Sequence, residues 1–194
     1  ELQGFCRPSW RIPRDTTGIY QVDVQIPLNW QAKRIFLHFG GVYYRCEVYW
    51  NGKLLGEHES GYTAFEYDIT EFVEAGMTGE LRVKVYTWGK YLDFDCLDFW
   101  PLGGIYRDVK LIARPQTFIK QWKYDTEWSD ELAVVNLNGL LNENTAGEVG
   151  VSLSYNDDNI LEEKCNVQNR HFQIELKVPS PKGWTAETPH LYNI

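Results

Sequence analysis

The sequence predicts an all-β protein built as two consecutive β-sandwich units, residues 1–115 and 116–194. Three observations carry this. Apolar residues recur at every second position in residues 20–26, 81–86 and 172–178, the period of a strand with one face buried. Asn51-Gly52 joins two strand-like runs, and both positions of a two-residue hairpin turn need positive φ, which these two residues tolerate. In the second half, short apolar runs separated by polar turns follow one another at ~8–12-residue spacing, the pattern of a sandwich. Arg114-Pro115 closes the first half.

Taken in order, residues 20–26 alternate strictly and stop at Pro27, and Trp30 lies in the turn that follows. Arg34-Ile35-Phe36-Leu37-His38-Phe39 is apolar on nearly every residue, which predicts a central strand covered on both faces. Residues 43–50 form the next strand, Asn51-Gly52 turns it, and Lys53-Leu54-Leu55-Gly56 begins its return. Residues 68–76 predict one short helix, with Thr70 as cap, Glu71 and Glu74 at its positive end and Gly76 as terminator. A strand over 81–86 leads into a stretch dense in aromatics and carboxylates. Trp100 to Gly104 then reads as a turn, and residues 105–113 as a strand carrying Arg107 and Asp108. Because neighbours on a strand face opposite ways, these two are expected to pair with other elements as buried or interfacial ions. Strand candidates in the second half are 117–125, 131–141, 149–155, 159–165 and 171–178, and Trp184 and Tyr192 are expected to fill its core.

Composition bounds the function. A net charge of −8 argues against nucleic acid or an anionic membrane as partner. No apolar run approaches the ~18 residues needed to span a bilayer. Glu1-Leu2-Gln3-Gly4 lacks the charged and then apolar start of a signal peptide, although a processed N-terminus looks the same, so the compartment stays open. Cys6, Cys46, Cys96 and Cys165 show no metal-ligand spacing, and neither do His38, His58, His171 and His190. Free, mostly buried thiols are expected, with a Cys46–Cys96 bridge as the alternative.

The chemistry concentrates in Tyr91-Leu92-Asp93-Phe94-Asp95-Cys96-Leu97-Asp98-Phe99-Trp100, where rings alternate with hydrogen-bond acceptors. Aromatic faces cover the C–H face of a sugar and carboxylates accept from its hydroxyls. A solvated acidic loop at a sheet corner has the same composition. The carboxylate pairs Asp93/Asp95, Glu57/Glu59 and Asp157/Asp158 read as solvated surface groups rather than as an acid and a nucleophile.

Five motifs, in order, are similar to the N-terminal half of family 2 of the glycoside hydrolases: Gly18-Ile19-Tyr20; Val42 with Trp50-Asn51-Gly52 and Gly56; Phe65-Glu66-Tyr67-Asp68-Ile69-Thr70; Gly103-Gly104-Ile105-Tyr106-Arg107-Asp108-Val109; and Trp184-Thr185-Ala186-Glu187-Thr188-Pro189-His190-Leu191-Tyr192. The family contains β-galactosidases, β-glucuronidases and β-mannosidases. The resemblance implies a jelly-roll, galactose-binding-like β-sandwich followed by an immunoglobulin-like β-sandwich. It also implies truncation at both ends: early strands of the first and last strands of the second are absent, as is the catalytic (β/α)8 barrel with its two glutamates. Catalytic residues are therefore expected nowhere in this chain, and the partners are the missing barrel, a carbohydrate substrate and a homo-oligomer.

Asp98-Phe99-Trp100 stands where β-galactosidases carry an Asp-x-Trp motif, and Tyr91-Leu92-Asp93 upstream fits them better than the glucuronidases. The resemblance implies that Asp98 contacts the galactose hydroxyls and helps hold sodium in the full enzyme, with Trp100 beside it; magnesium is the other implied ion. The alternative is that Asp98 only caps the turn. Asp15-Thr16-Thr17-Gly18-Ile19-Tyr20 matches a second contact motif, with aspartate in place of asparagine and no proline, which makes Asp15 a candidate sugar contact and puts galactose in doubt. Three readings follow: an accessory region of a family 2 hydrolase, a stand-alone sugar-binding module using Trp88, Tyr91, Phe94, Phe99 and Trp100, or a structural spacer without ligand.

Overall fold

The computed structural model describes residues 16–92 and 103–194, and the chain divides into two units, Glu1–Gln116 and Thr117–Ile194. The named elements among the described residues are strands and two 3-10 turns, Leu28–Trp30 and Thr70–Phe72, and all strand pairs are antiparallel.

Unit 1 contains β1 (Thr17–Gln25), β2 (Arg34–Phe39), β3 (Val42–Tyr43), β4 (Arg45–Trp50), β5 (Lys53–Glu59), β6 (Phe65–Asp68), β7 (Thr78–Tyr86), β8 (Gly104–Ile105) and β9 (Val109–Arg114). They form a sheet of order β1-β7-β4-β5, a second of order β6-β2-β9, and the small pair β3-β8. Alternation decides which side chains meet: Cys46, Val48 and Trp50 of β4 and Leu81, Val83 and Val85 of β7 pack with Ile35, Leu37 and Phe39 of β2 in one core. Each such side chain taken fully out of water stabilises the fold by ~1.5–3 kcal/mol. β2 is central and covered on both faces, as its near-continuous apolar run predicts. On its far side Phe36 is roofed by the Arg114 guanidinium, 4.2 Å from the ring, and Arg114 is forked onto Glu66 at 2.6 and 2.8 Å. The β4–β5 hairpin turns at Asn51-Gly52, with φ of 47° and 78°.

Two elements differ from expectation. The helix over 68–76 is a 3-10 turn, Thr70–Phe72. The cap residue is used elsewhere: Thr70 Oγ1 accepts from the Ile35 N–H at 2.9 Å, and the Ile69 N–H donates to the Ile35 carbonyl at 2.9 Å. Bonds to β2 thus compete with, and replace, the local helical ladder. The strand over 105–113 is broken into β8 and β9. Arg107 and Asp108 sit in the break and are exposed, not buried: Asp108 meets Lys110 at 3.2 Å and Arg107 lies over the Tyr106 ring.

Unit 2 contains β10 (Ile119–Trp128), β11 (Leu132–Leu141), β12 (Glu148–Tyr155), β13 (Asp158–Asn166), β14 (His171–Pro179) and β15 (Tyr192–Asn193), in sheets of order β10-β11-β14 and β13-β12-β15. Val135 and Leu137, Val151 and Leu153, and Ile174 and Leu176 form its core. β14 has one wet face, with Phe172, Ile174, Leu176 and Val178 buried and the residues between them exposed. β10 is an edge strand exposed along its whole length, although Tyr124 and Trp128 are paired with the core residues Leu137 and Ala133. β15 pairs with β12 only at Tyr155 and Ser154, so the same edge of β12 is unpaired from Glu148 to Leu153. Trp184 does not fill the core; it is 62% exposed and lines a cavity of about 300 Å³ with Trp128, Leu153 and Tyr192. Tyr192 packs against the core from its edge.

Candidate functional site

In sequence, the segment 93–102 lies between β7 and β8, and the described residues on either side of it are held as follows. Tyr43 pairs with Gly104 and Val42 with Ile105. The Tyr91 N–H donates to Glu59 Oε1 at 2.9 Å, and the Tyr44 N–H donates to the Tyr86 carbonyl at 3.1 Å. Thr16, the residue after Asp15, accepts from the Thr87 N–H at 3.3 Å through its carbonyl. Three stretches far apart in sequence therefore meet at one end of the sandwich: the start of β1, the exit from β7 and the entry to β8. Gly104 has φ of 84°, and a Cβ there would collide with the Tyr20 hydroxyl, so both backbone and space demand glycine.

Aromatic side chains surround these anchors. Tyr43 and Tyr44 are buried and meet edge to face at 5.5 Å, and Tyr62 meets Tyr43 at 5.8 Å. Trp88 and Tyr91 stand half exposed at the exit of β7, with Lys90 Nζ 4.9 Å from the Tyr91 ring. Tyr106 donates to the Gly61 carbonyl at 2.6 Å and ties the β8–β9 break to the 60–64 loop. His58 stacks on Phe65 at 3.9 Å, and burial pushes its imidazole below the ordinary range, against hydrogen bonds at Ser60 and Thr63 that oppose the shift.

Several carboxylates of unit 1 are occupied structurally. Glu57 is bound by Arg45 at 2.7 Å, and Glu59 by the Tyr91 amide. Glu47, on the outer face of β4, accepts from Tyr49 and from Tyr86, with Arg45 at 3.4 Å. The Tyr49 bond, then that from Tyr86 and the charges of Lys84 and Arg45, hold its carboxyl below the usual range against an opposing burial effect. Asp157 lies in the β12–β13 turn with φ of 67°. Burial pushes the free Cys46 thiol up to about 12, which leaves it unreactive. Cys165 is also free.

Of the residues singled out in the sequence, Asp15, Asp98 and Trp100 lie outside the described residues, as do Asp93, Asp95, Phe94, Phe99, Cys6 and Cys96. Among the described residues no three His, Cys, Asp or Glu side chains could hold a metal ion together. What the sequence did not reveal is the scaffold of the site. Glu59 reads locally as half of a carboxylate pair, and its partner Tyr91 lies 32 residues away. The Thr16–Thr87 bond joins residues separated by 71 positions and leaves no local pattern either.

Known proteins share this architecture. The family model described as "Glycosyl hydrolases family 2, sugar binding domain" matches residues 8–115, and "Glycosyl hydrolases family 2" matches residues 117–194. A β-glucuronidase of Bacteroides fragilis is 32% identical over 197 residues, which cover 91% of this chain and 28% of that protein. A β-galactosidase of Leuconostoc mesenteroides is 30% identical over 203 residues, covering 96% of this chain and 20% of that protein. A crystal structure of a family 2 glycosyl hydrolase from Bacteroides cellulosilyticus superposes with a TM-score of 0.77 at 25% identity, over 91% of this chain and 25% of that one. β-Glucuronidase 2 of Bacteroides uniformis, covalently bound to cyclophellitol-6-carboxylate aziridine, gives a TM-score of 0.77 at 28% identity, over 91% and 23%. The chain thus spans less than a third of the length of the curated relatives it matches. Matched along both of its units, it belongs to family 2 of the glycosyl hydrolases.

Proposed function

We propose that these 194 residues are the non-catalytic N-terminal part of a retaining β-glycosidase acting on terminal β-galactosides, and that they seat a catalytic barrel and lend it the segment 93–102. The observation that carries this reading is the tandem match: a sugar-binding domain model and then a second family 2 model, in order, in a chain that covers about a quarter of its relatives. Retention of configuration needs two carboxyl groups ~5–5.5 Å apart, one as nucleophile and one as acid and base. Glu47, Glu57, Glu59 and Glu66 of unit 1 are committed to arginines, tyrosines and a backbone amide instead. The region's own contribution is positional. Anchors at Thr16–Thr87, Glu59–Tyr91 and Tyr43–Gly104 fix where the segment carrying Asp98 and Trp100 begins and ends, so that Asp98 can accept from a sugar hydroxyl at low entropic cost.

The experiment is made in the full-length protein. Asp98→Asn keeps the shape and removes the charge, so kcat/KM on nitrophenyl β-galactoside should fall about ten- to a hundredfold, the size of a lost charge-assisted hydrogen bond of ~1.5–3 kcal/mol. Asp93→Asn should do much less. Equal and mild effects of both would make Asp98 a turn residue. The isolated 194 residues should not hydrolyse the substrate at all; turnover abolished by a substitution within them would overturn the reading.

A second reading is a β-glucuronidase, supported by the 32% identity to the Bacteroides fragilis enzyme. Aspartate rather than asparagine at position 15 also weakens the galactoside assignment. The ratio of kcat/KM on nitrophenyl β-glucuronide to that on the galactoside decides between the two.

A further inference from the structure

The outer face of the β10-β11-β14 sheet presents amides where a solvated sheet usually presents charge. Leu137 and Leu141 of β11 point into the core, so Asn138 between them points out; Phe172 and Ile174 of β14 point in, so Gln173 points out. The register aligns Lys123, Asn138 and Gln173 in one row across three strands, and Gln121, Leu140 and His171 in the next. The β13–β14 turn, closed by reciprocal backbone bonds between Gln168 and His171, adds Asn166, Gln168 and Asn169 to the same wall. These residues line a groove of about 720 Å³. That is within the ~300–1,000 Å³ of small-molecule sites.

The chemistry of the lining is unusual for this chain. It holds six side-chain amides and no carboxylate, in a protein of net charge −8. Carboxylates resume one row further along the sheet, at Asp125 and Glu175. Gln121, Asn166, Gln168, Asn169 and Gln173 are exposed and Asn138 is half-buried, so these amides are open to a ligand in the groove. An amide offers both donors and acceptors at no net charge, which suits a polyhydroxylated ligand, and Lys123 in the same row is the groove's one fixed charge. Trp122, paired with Gly139 and stacked on Tyr124, belongs to the opposite face of the sheet, so the amide row rather than a ring characterises this groove.

We propose that this groove in unit 2 is a second carbohydrate-binding site, distinct from the 93–102 segment, that takes an oligosaccharide. The inference stands whether the sugar acted upon is a galactoside or a glucuronide.

The test is an NMR titration of the 194-residue chain with a neutral β-linked galacto-oligosaccharide, reading the side-chain NH2 resonances. Saturable shifts of Asn138 and Gln173 are expected, with a dissociation constant in the millimolar range. The double variant Asn138→Ala/Gln173→Ala should weaken binding at least about tenfold with an unchanged melting curve, since both side chains point away from the core. Asp98→Asn should leave it untouched. That last arm separates this site from the one proposed for unit 1. No shifts at ~20 mM sugar, shifts confined to residues 88–105, or undiminished binding by the double variant would each overturn the proposal.

Discussion

At the scale of single residues the sequence is clearest where backbone geometry forces a choice. Gly103-Gly104 announces a turn, and Gly104 does adopt positive φ. It is least clear where a side chain's meaning comes from another strand. Glu47 is one charged letter in an alternating strand, yet it gathers Tyr49, Tyr86 and Arg45 around one carboxylate. The network has a pH signature whose sign follows from its shifts. Glu47 is held below the usual carboxylate range, so its stabilisation is complete above the unfolded pKa near ~4.3 and is lost as pH falls through the lower folded value. Tyr86 is pushed up to about 12 by burial and by its bond to Glu47, so its contribution is complete below the unfolded value and disappears as pH rises toward 12. Glu47→Gln should therefore cost ~1–3 kcal/mol near neutral pH and flatten the acid limb of stability against pH. Urea melts of both proteins across the acid range check this; parallel acid limbs would show that Glu47 is not the group responsible.

At the scale of elements, strands were legible because period two is written into each of them; β14 alternates in burial exactly where its letters alternate in polarity. The helix over 68–76 was misread because its capping letters serve β2 instead, a tertiary use that local propensity does not encode. The break between β8 and β9 was missed for a similar reason: Arg107 and Asp108 look like strand residues until Tyr106 is seen bonded to Gly61. The open edge of β12 has a consequence that can be measured. Unpaired backbone from Glu148 to Leu153, beside the exposed rings of Tyr124 and Trp128, is a template for another chain. The isolated 194 residues should self-associate as concentration rises, and Ser152→Lys, a charge on that edge, should shift the equilibrium toward monomer. Light scattering that reports a monomer across a hundredfold range of concentration (~1 to ~100 μM) would contradict it.

At the scale of the whole molecule the chain divides into two units, Glu1–Gln116 and Thr117–Ile194, and the groove of unit 2 was not legible in the sequence, because its amides come from separate strands. The core residues of each unit come from that unit alone. Each core also has a glycine over which a ring lies: a Cβ at Gly79 would strike the Trp50 indole, and one at Gly139 the Phe172 ring. Gly79→Ala and Gly139→Ala should each destabilise by ~1–3 kcal/mol. In calorimetry one should lower the transition of unit 1 and the other that of unit 2; a common shift by both would mean that the units unfold as one. The anchoring of the 93–102 segment also bears on how such proteins diversify. With Tyr91 held by Glu59 and Gly104 held by Tyr43, the ends of the loop stay where they are whatever lies between them. Doubling a loop's length adds only ~0.6 kcal/mol of closure entropy. Evolution, or an engineer grafting loops, can therefore rewrite the letters between these anchors while the surrounding sandwich registers almost nothing.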